Sequence, residues 1–250
     1  MKNHIRRYNS VLAALLALLL PAAGRAFELK PMTQTFEPTG GSINRTFTVQ
    51  NDRDEEVAVS VTIKARSLNA SGGETLKDTG DFAIFPTQIL LKGNSSQVIR
   101  VQWQGAQDLR SEQAYRIIAE EVPLKSSPAL SQDRSMSIKL ILRFGGTIYV
   151  APPEAKSDVV LASAKAVKTP KGEVLELVME NRGSRHAIID HPSLRIKTGK
   201  DTSLLLQDEL DKTLGGENIL AGASRTISLP CPEGLPVGPV DAKLNASYLQ

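Results

Sequence analysis

Three features of the sequence predict an all-β chain built from two immunoglobulin-like sandwiches. Short runs of alternating apolar residues recur at a spacing of about 8 to 12 residues, Gly-, Pro-, Asn- and Asp-rich turns separate them, and no long amphipathic helical period appears. The chain also changes composition at Pro152-Pro153, with Glu154 to Ser157 as a short connector. That break divides an N-terminal unit, residues 27–152, from a C-terminal unit, residues 153–250.

The elements follow in order. Lys2, Arg6 and Arg7 precede an apolar run from Val11 to Leu20, and Gly24 and Ala26 supply small residues, so residues 1–26 read as a secretory signal cleaved after Ala26. The run is too short to span a bilayer, which takes about 20 apolar residues, and no membrane insertion is expected later in the chain. Phe27 to Phe36 is a candidate first strand. Arg45, Phe47 and Val49 alternate with Thr46 and Thr48 up to a turn at Asn51-Asp52, and Val57, Val59, Val61 and Ile63 mark a half-buried strand. Gly72-Gly73 and Asp78 to Asp81 signal loops. Phe82 to Phe85, Ile89 to Leu91, Gln97 to Trp103 and Ala114 to Val122 complete the first set.

In the second unit the strands are Val159 to Val167, Val174 to Glu180, Ala187 to Ile196, Ala223 to Leu229 and Ala242 to Leu249. Leu204 to Leu210 suits a strand or a helical turn equally. No fixed-period repeat links the two halves.

Charge and motif content exclude several functions. The first 26 residues hold four basic and no acidic side chains, so the remainder carries 26 basic against 27 acidic residues and offers nucleic acid no basic surface. Cys231 is the only cysteine, which rules out an intramolecular disulfide, and a structural role is expected for it. His186 and His191 have no Cys or Glu at ligand spacing, so they read as solvent-exposed or capping residues and no metal or cofactor is expected. No nucleophile, zinc-protease or Walker motif occurs. Glu55-Glu56 and Glu120-Glu121 are adjacent pairs, which a strand points to opposite faces, so neither converges on a substrate and no enzyme is expected.

The most informative stretch is Ser135 to Pro152. Met136, Ile138, Leu140, Leu142 and Phe144 fall on one face of an extended backbone, with Ser137, Lys139 and Arg143 on the other. Periodicity alone leaves two readings open: a strand covering its own core, or an edge strand that lends its apolar face to another protein.

Several blocks then carry a family likeness: Phe47 to Asn51, Ile84-Phe-Pro86 through Leu91-Lys-Gly93 to Gln97 and Arg100, Tyr115-Arg-Ile117 to Glu121-Val-Pro123, and Tyr149-Val-Ala-Pro152. In this order and spacing the chain resembles the periplasmic chaperones of the chaperone/usher pilus pathway, of which the P-pilus chaperone is the type. The likeness is strongest over residues 28–153 and rests mainly on Asn181-Arg-Gly183 beyond. It implies an L-shaped (boomerang) pair of sandwiches in the periplasm, which binds pilus or fimbrial subunits by donor-strand complementation and hands them to an outer-membrane usher. The implied donor residues are Met136, Ile138, Leu140, Leu142 and Phe144, and an unpaired apolar edge of this kind suits a self-capping dimer when the protein is free. The family's basic pair, which holds a subunit's C-terminal carboxylate, falls here on Thr147 and near Thr33 to Thr35, as in the archaic or alternate branches. Lys30 and Arg143 are the nearest substitutes. The competing reading is a secreted structural or adhesive two-domain surface protein.

Overall fold

The computed structural model describes residues 27–123, 141–198 and 203–249. The first half carries β1 (Phe27–Lys30), β2 (Thr33–Phe36), β3 (Asn44–Asn51), β4 (Val57–Leu68), β5 (Glu74–Asp78), β6 (Phe82–Phe85), β7 (Gln88–Leu91), β8 (Ser95–Trp103), β9 (Gln113–Val122) and β10 (Arg143–Val150). The second carries β11 (Val159–Thr169), β12 (Gly172–Asn181), β13 (Ala187–Lys197), β14 (Ser203–Leu206), the helix α1 (Asp208–Leu214), β15 (Asn218–Ile219), β16 (Ser224–Pro230), β17 (Gly238–Pro239) and β18 (Ala242–Leu249).

Each half is a sandwich with its own core, as the strand periodicity predicts. Sheets β1-β3-β8-β6 and β2-β10-β9-β4-β5, the latter with β7 beside β4, enclose Phe27, Phe47, Val49, Val59, Ile99 and Ile117. Sheets β16-β12-β11-β17 and β14-β13-β15, the latter with β18 beside β13, enclose Leu175, Leu177, Met179, Ile189, Leu194 and Ile196. Alternation produces this burial: Val57, Val59, Val61 and Ile63 are all buried, while Ala58, Ser60 and Thr62 between them are not.

Three expectations change. The first strand is two: β1 joins one sheet and β2 the other, with Pro31, which cannot donate to a ladder, in the two-residue step between them. β5 is a strand between the two loop signals, paired to the long β4 from Lys64 to Leu68. The Leu204 to Leu210 region contains both alternatives, β14 followed by the start of α1, whose Leu210 and Leu214 enter the second core.

Two buried asparagines do the same work in the two halves. Asn51 Nδ2 donates to the carbonyls of Glu55 (2.8 Å) and Lys92 (3.0 Å), and its Oδ1 accepts from the Arg53 amide (3.1 Å). Asn181 Nδ2 donates to Arg185 O (2.7 Å) and Ile219 O (3.1 Å), and its Oδ1 accepts from the amides of Gly183 (3.0 Å) and Asp158 (3.1 Å). Each therefore ties a strand end to two separate loops. Gly183 cannot be replaced freely, because a Cβ there would lie 2.2 Å from the Lys156 carbonyl.

The sandwiches meet through a polar seam. His186 is buried here, not exposed or capping as its sequence context suggested: its Nδ1 lies 2.7 and 2.9 Å from the two Glu112 oxygens, and its amide donates to Glu112 Oε1 at 3.1 Å. Both side chains are 1 % exposed. The Tyr149 ring stacks on the imidazole, with centroids 3.7 Å apart and planes 7° from parallel, and Asn218 Nδ2 donates to the Tyr149 hydroxyl at 2.6 Å. Burial pushes the Tyr149 hydroxyl's pKa up against the bond from Asn218, which keeps the ring neutral beside the pair. The Glu112 amide bonds Ser184 O and the Thr226 amide bonds Ala70 O, so two further crossings fix the seam. His191, by contrast, is exposed and pairs with Asp190.

Replacing Asn51 with Ala should lower unfolding free energy by about 1 to 3 kcal/mol, because two loop carbonyls lose their donor. Urea titration reads this, and an Asn51→Asp variant as stable as the parent would show that those carbonyl bonds hold nothing. Glu112→Ala should cost about 3 to 5 kcal/mol, the range for removing one member of a buried pair. The His186 amide should also lose hydrogen-exchange protection, and unchanged protection would contradict the role given to the Glu112 carboxylate.

Candidate functional site

The candidate site is the edge of β10. Its residues Arg143 to Val150 pair antiparallel with β9 along their whole length, but only Thr147 to Val150 pair on the other side, in parallel with β2. Among the described residues, 143–146 thus have a strand on one side only. The orientation of the free groups follows from two neighbouring bonds. The Thr147 amide donates toward β2, to Met32 O at 2.7 Å, whereas the Leu142 carbonyl accepts from the Glu121 amide of β9 at 2.9 Å. Backbone groups alternate in direction along a strand, so the N–H and C=O of Arg143 and Gly145 face the uncovered edge. Gly145 adds no obstruction, since a Cβ there would meet nothing within 4 Å.

Side chains alternate through the same stretch. Leu142 and Phe144 pack, half-buried, against the first core, and Phe144 meets Phe27 edge-on with centroids 4.9 Å apart. Ile141 and Arg143 face outward and are exposed. Of the apolar parity read for Met136 to Phe144, the described members Leu142 and Phe144 both lie on the core face. Met136, Ile138 and Leu140 lie outside the described residues.

The two substitute anchors are both engaged. Lys30 pairs with Glu28, two residues away on β1. Arg143 Nε lies 3.9 Å from Glu120 on the neighbouring strand, both half-exposed. The resemblance puts the missing basic pair at Thr147 and near Thr33 to Thr35, and Thr33 is the direct partner of Thr147 in the β10–β2 register. Sequence reasoning overlooked what stands beside them. Arg116 on β9 is the cross-strand partner of Thr147, and its Nη1 donates to Thr147 Oγ1 at 2.5 Å. Its Nε donates to Glu74 Oε1 at 2.8 Å, and the same oxygen accepts from Arg66 Nε at 2.6 Å. Partial burial pushes the Glu74 carboxyl up, but the two guanidinium bonds outweigh that and hold it below the usual carboxylate range. Arg116 belongs to the Tyr-Arg block already singled out, and the step from block to site needed only the β9–β10 register.

Glu120 and Glu121 diverge as expected. Glu121 turns to Arg53, with which it forms a paired contact of 3.2 and 3.3 Å, while Glu120 faces Arg143. Among the described residues no group of three or more His, Cys, Asp or Glu side chains is placed to hold a metal, and no helix is long and apolar enough to cross a membrane.

Comparison with known proteins places this geometry. Residues 34–155 match the family model described as pili and flagellar-assembly chaperone, PapD N-terminal domain. A search of curated protein sequences finds no match. Among solved structures, the chain is similar to one in the CsuC–CsuE chaperone–tip adhesion subunit pre-assembly complex from archaic chaperone-usher Csu pili of Acinetobacter baumannii, at 13 % identity and a TM-score of 0.58, covering 88 % of this chain and 97 % of that one. The class 5 fimbriae chaperone CfaA matches at 14 % identity and a TM-score of 0.55, covering 88 % and 98 %. A chain of the Salmonella enterica SafA pilin–SafB chaperone complex matches at 15 % identity and 0.52, covering 84 % and 86 %. At these identities the likeness is one of fold. The match to the pili and flagellar-assembly chaperone model therefore lies in the first sandwich and takes in the half-covered β10 edge.

Proposed function

We propose that this protein is a periplasmic chaperone that binds pilus or fimbrial subunits by donor-strand complementation and delivers them to an outer-membrane usher. The observation that carries this reading is the one-sided pairing of β10 at residues 143–146, directly after a run whose apolar residues share one face. An uncovered strand edge recruits another strand, and the side chains of the recruited pair must then bury their apolar face. A sandwich subunit that lacks one strand offers the complement: two open edges and a groove into its core. The structural neighbours include chaperones seen with a pilin or a tip adhesion subunit.

In this mechanism residues 135–144 fill the subunit's missing strand position, with Met136, Ile138, Leu140 and Leu142 in the groove, Leu142 giving up its half-buried place against the chaperone's own core to reach it. Phe144, already packed against Phe27, marks where donation ends and the chaperone's own core begins. Four such side chains contribute about 6 to 12 kcal/mol before ordering costs. The N-terminal 26 residues direct export. Without a subunit, the same edge is covered by a second copy of the chain. Lys30 and Arg143 take part in subunit anchoring only after exchanging Glu28 and Glu120 for the incoming carboxylate.

Leu140→Asp should abolish co-purification of a co-expressed subunit from the periplasm while leaving the first sandwich folded by circular dichroism. Retained capture, or loss of the fold, would refute the donor assignment. A surface adhesin with the same sandwiches would accumulate equally well with or without the subunit.

A further inference from the structure

β3 loses its neighbour partway along. Its pairing with β1 stops at Thr48, opposite Lys30, because the chain then crosses to β2 in the other sheet. Among the described residues no strand continues beside Asn44 to Phe47 on that side, while β8 pairs with them on the other. Two side chains bridge the gap in place of a ladder. Gln34 Nε2 on β2 donates to Thr46 O at 2.5 Å, and Arg45 Nε on β3 donates to Thr35 O at 3.1 Å. Since the Thr46 carbonyl faces the gap, the N–H of the same residue faces it too.

The gap opens into a cavity of about 510 Å³ lined by Gln34, Asn44, Arg45, Thr46, Arg100 and Val101. This lining holds two guanidiniums and no carboxylate, and neither arginine meets a carboxylate elsewhere among the described residues. Arg45 shares parity with the buried Phe47 and Val49, so its stem runs between the sheets, half-buried and with its charge uncompensated. A guanidinium placed in this way suits an oxyanion, because its fork of N–H groups matches two oxygens. Arg100 stands on the outer face, directly opposite Thr46. Donors therefore reach the cavity from three directions: between the sheets, along the strand edge and across the outer face. A planar carboxylate offers oxygens in one plane only, whereas a tetrahedral phosphate or sulfate ester offers three that diverge.

An aromatic ring extends the same row. Phe85 on β6 is the cross-strand partner of Arg100 and is 75 % exposed. Directly opposite residues have Cβ atoms about 5 Å apart, so Thr46, Arg100 and Phe85 make a line about 10 Å long across three strands. An oxyanion joined to a ring spans that line, and an exposed phenyl face stacks on such a ring.

We propose that this gap binds a phosphate or sulfate monoester of a ring compound, with Arg45, Arg100 and the Thr46 N–H on the oxyanion and Phe85 against the ring. The site is separate from both the β10 edge and the seam. β2 lies between it and β10, and Gln34 shares parity with the buried Ile148, whereas Thr35 shares it with Tyr149 of the seam. It stands whether or not the function proposed above does.

The test uses the intact protein with phenyl phosphate, inorganic phosphate and benzyl alcohol at constant ionic strength, and follows amide resonances by two-dimensional NMR. Phenyl phosphate should shift the Thr46 amide and bind more tightly than inorganic phosphate, and benzyl alcohol should leave that amide in place. Arg100→Gln and Arg45→Gln should each weaken both phosphates about tenfold, the effect of losing one hydrogen bond from a charged group. Phe85→Ser should remove the advantage of phenyl phosphate and leave the affinity for inorganic phosphate unchanged. Lys77→Gln, which deletes an exposed charge on β5 of the same sandwich, should change neither affinity. An unmoved Thr46 amide, equal affinity for the two phosphates, or a loss in Lys77→Gln as large as that in Arg100→Gln would each overturn the proposal. If Arg45→Gln fails to fold, Arg100→Gln decides. Phenyl sulfate then names the ester: tighter binding than phenyl phosphate assigns a sulfate, weaker binding a phosphate, and both support the site.

Discussion

The hydrogen-bonding asymmetry of β10 is the constraint on which the remaining structure turns. From Thr147 to Val150 the strand is held on both sides, by β9 and by the parallel β2. From Arg143 to Gly146 it is held on one side only. Backbone N–H and C=O groups are obligatory partners, so an edge left open in a folded sheet is a binding surface by default. The separation of β1 from β2 creates that edge. Because β1 goes to the opposite sheet, the covering strand begins only at Thr33, opposite Thr147, and among the described residues Arg143 to Gly146 are left without a second strand.

The seam gives that edge a fixed second wall. Glu112 and His186, both fully enclosed, with Tyr149 stacked over the imidazole, make a polar contact whose geometry tolerates little rotation. Tyr149 lies on β10, so the strand that presents the edge also docks the second sandwich. Arg66, Glu74 and Arg116 sit on the same outer face, which couples their charge to the strand through Thr147. Edge, seam and charge cluster are therefore three consequences of one strand's two faces and two sides.

Much of the fold was legible along the chain because strands advertise themselves locally. The period of two in Val57 to Ile63 and in Val174 to Glu180 needs only neighbours in sequence, and the turn residues between strands act within four positions. The same locality explains the misses. β5 has mostly exposed residues and no apolar rhythm, so only its pairing to β4 makes it a strand. His186 read as exposed because nothing near it in sequence could neutralise or bury it. Its partner Glu112 lies 74 positions away.

Read along the chain alone, the residues establish the all-β class, the strand rhythm, the alternating face that ends at Phe144, and the absence of a basic residue at Thr147 and over Thr33 to Thr35. These are statements about which residue occupies which parity, and parity is a local property of an extended backbone. What needed the folded chain is that β2 covers β10 only from Thr147 onward, that Arg116 stands against Thr147, and that Arg66 is buried against Glu74. Those depend on register between strands far apart in the chain, where a shift of one residue would turn every one of these side chains to the other face.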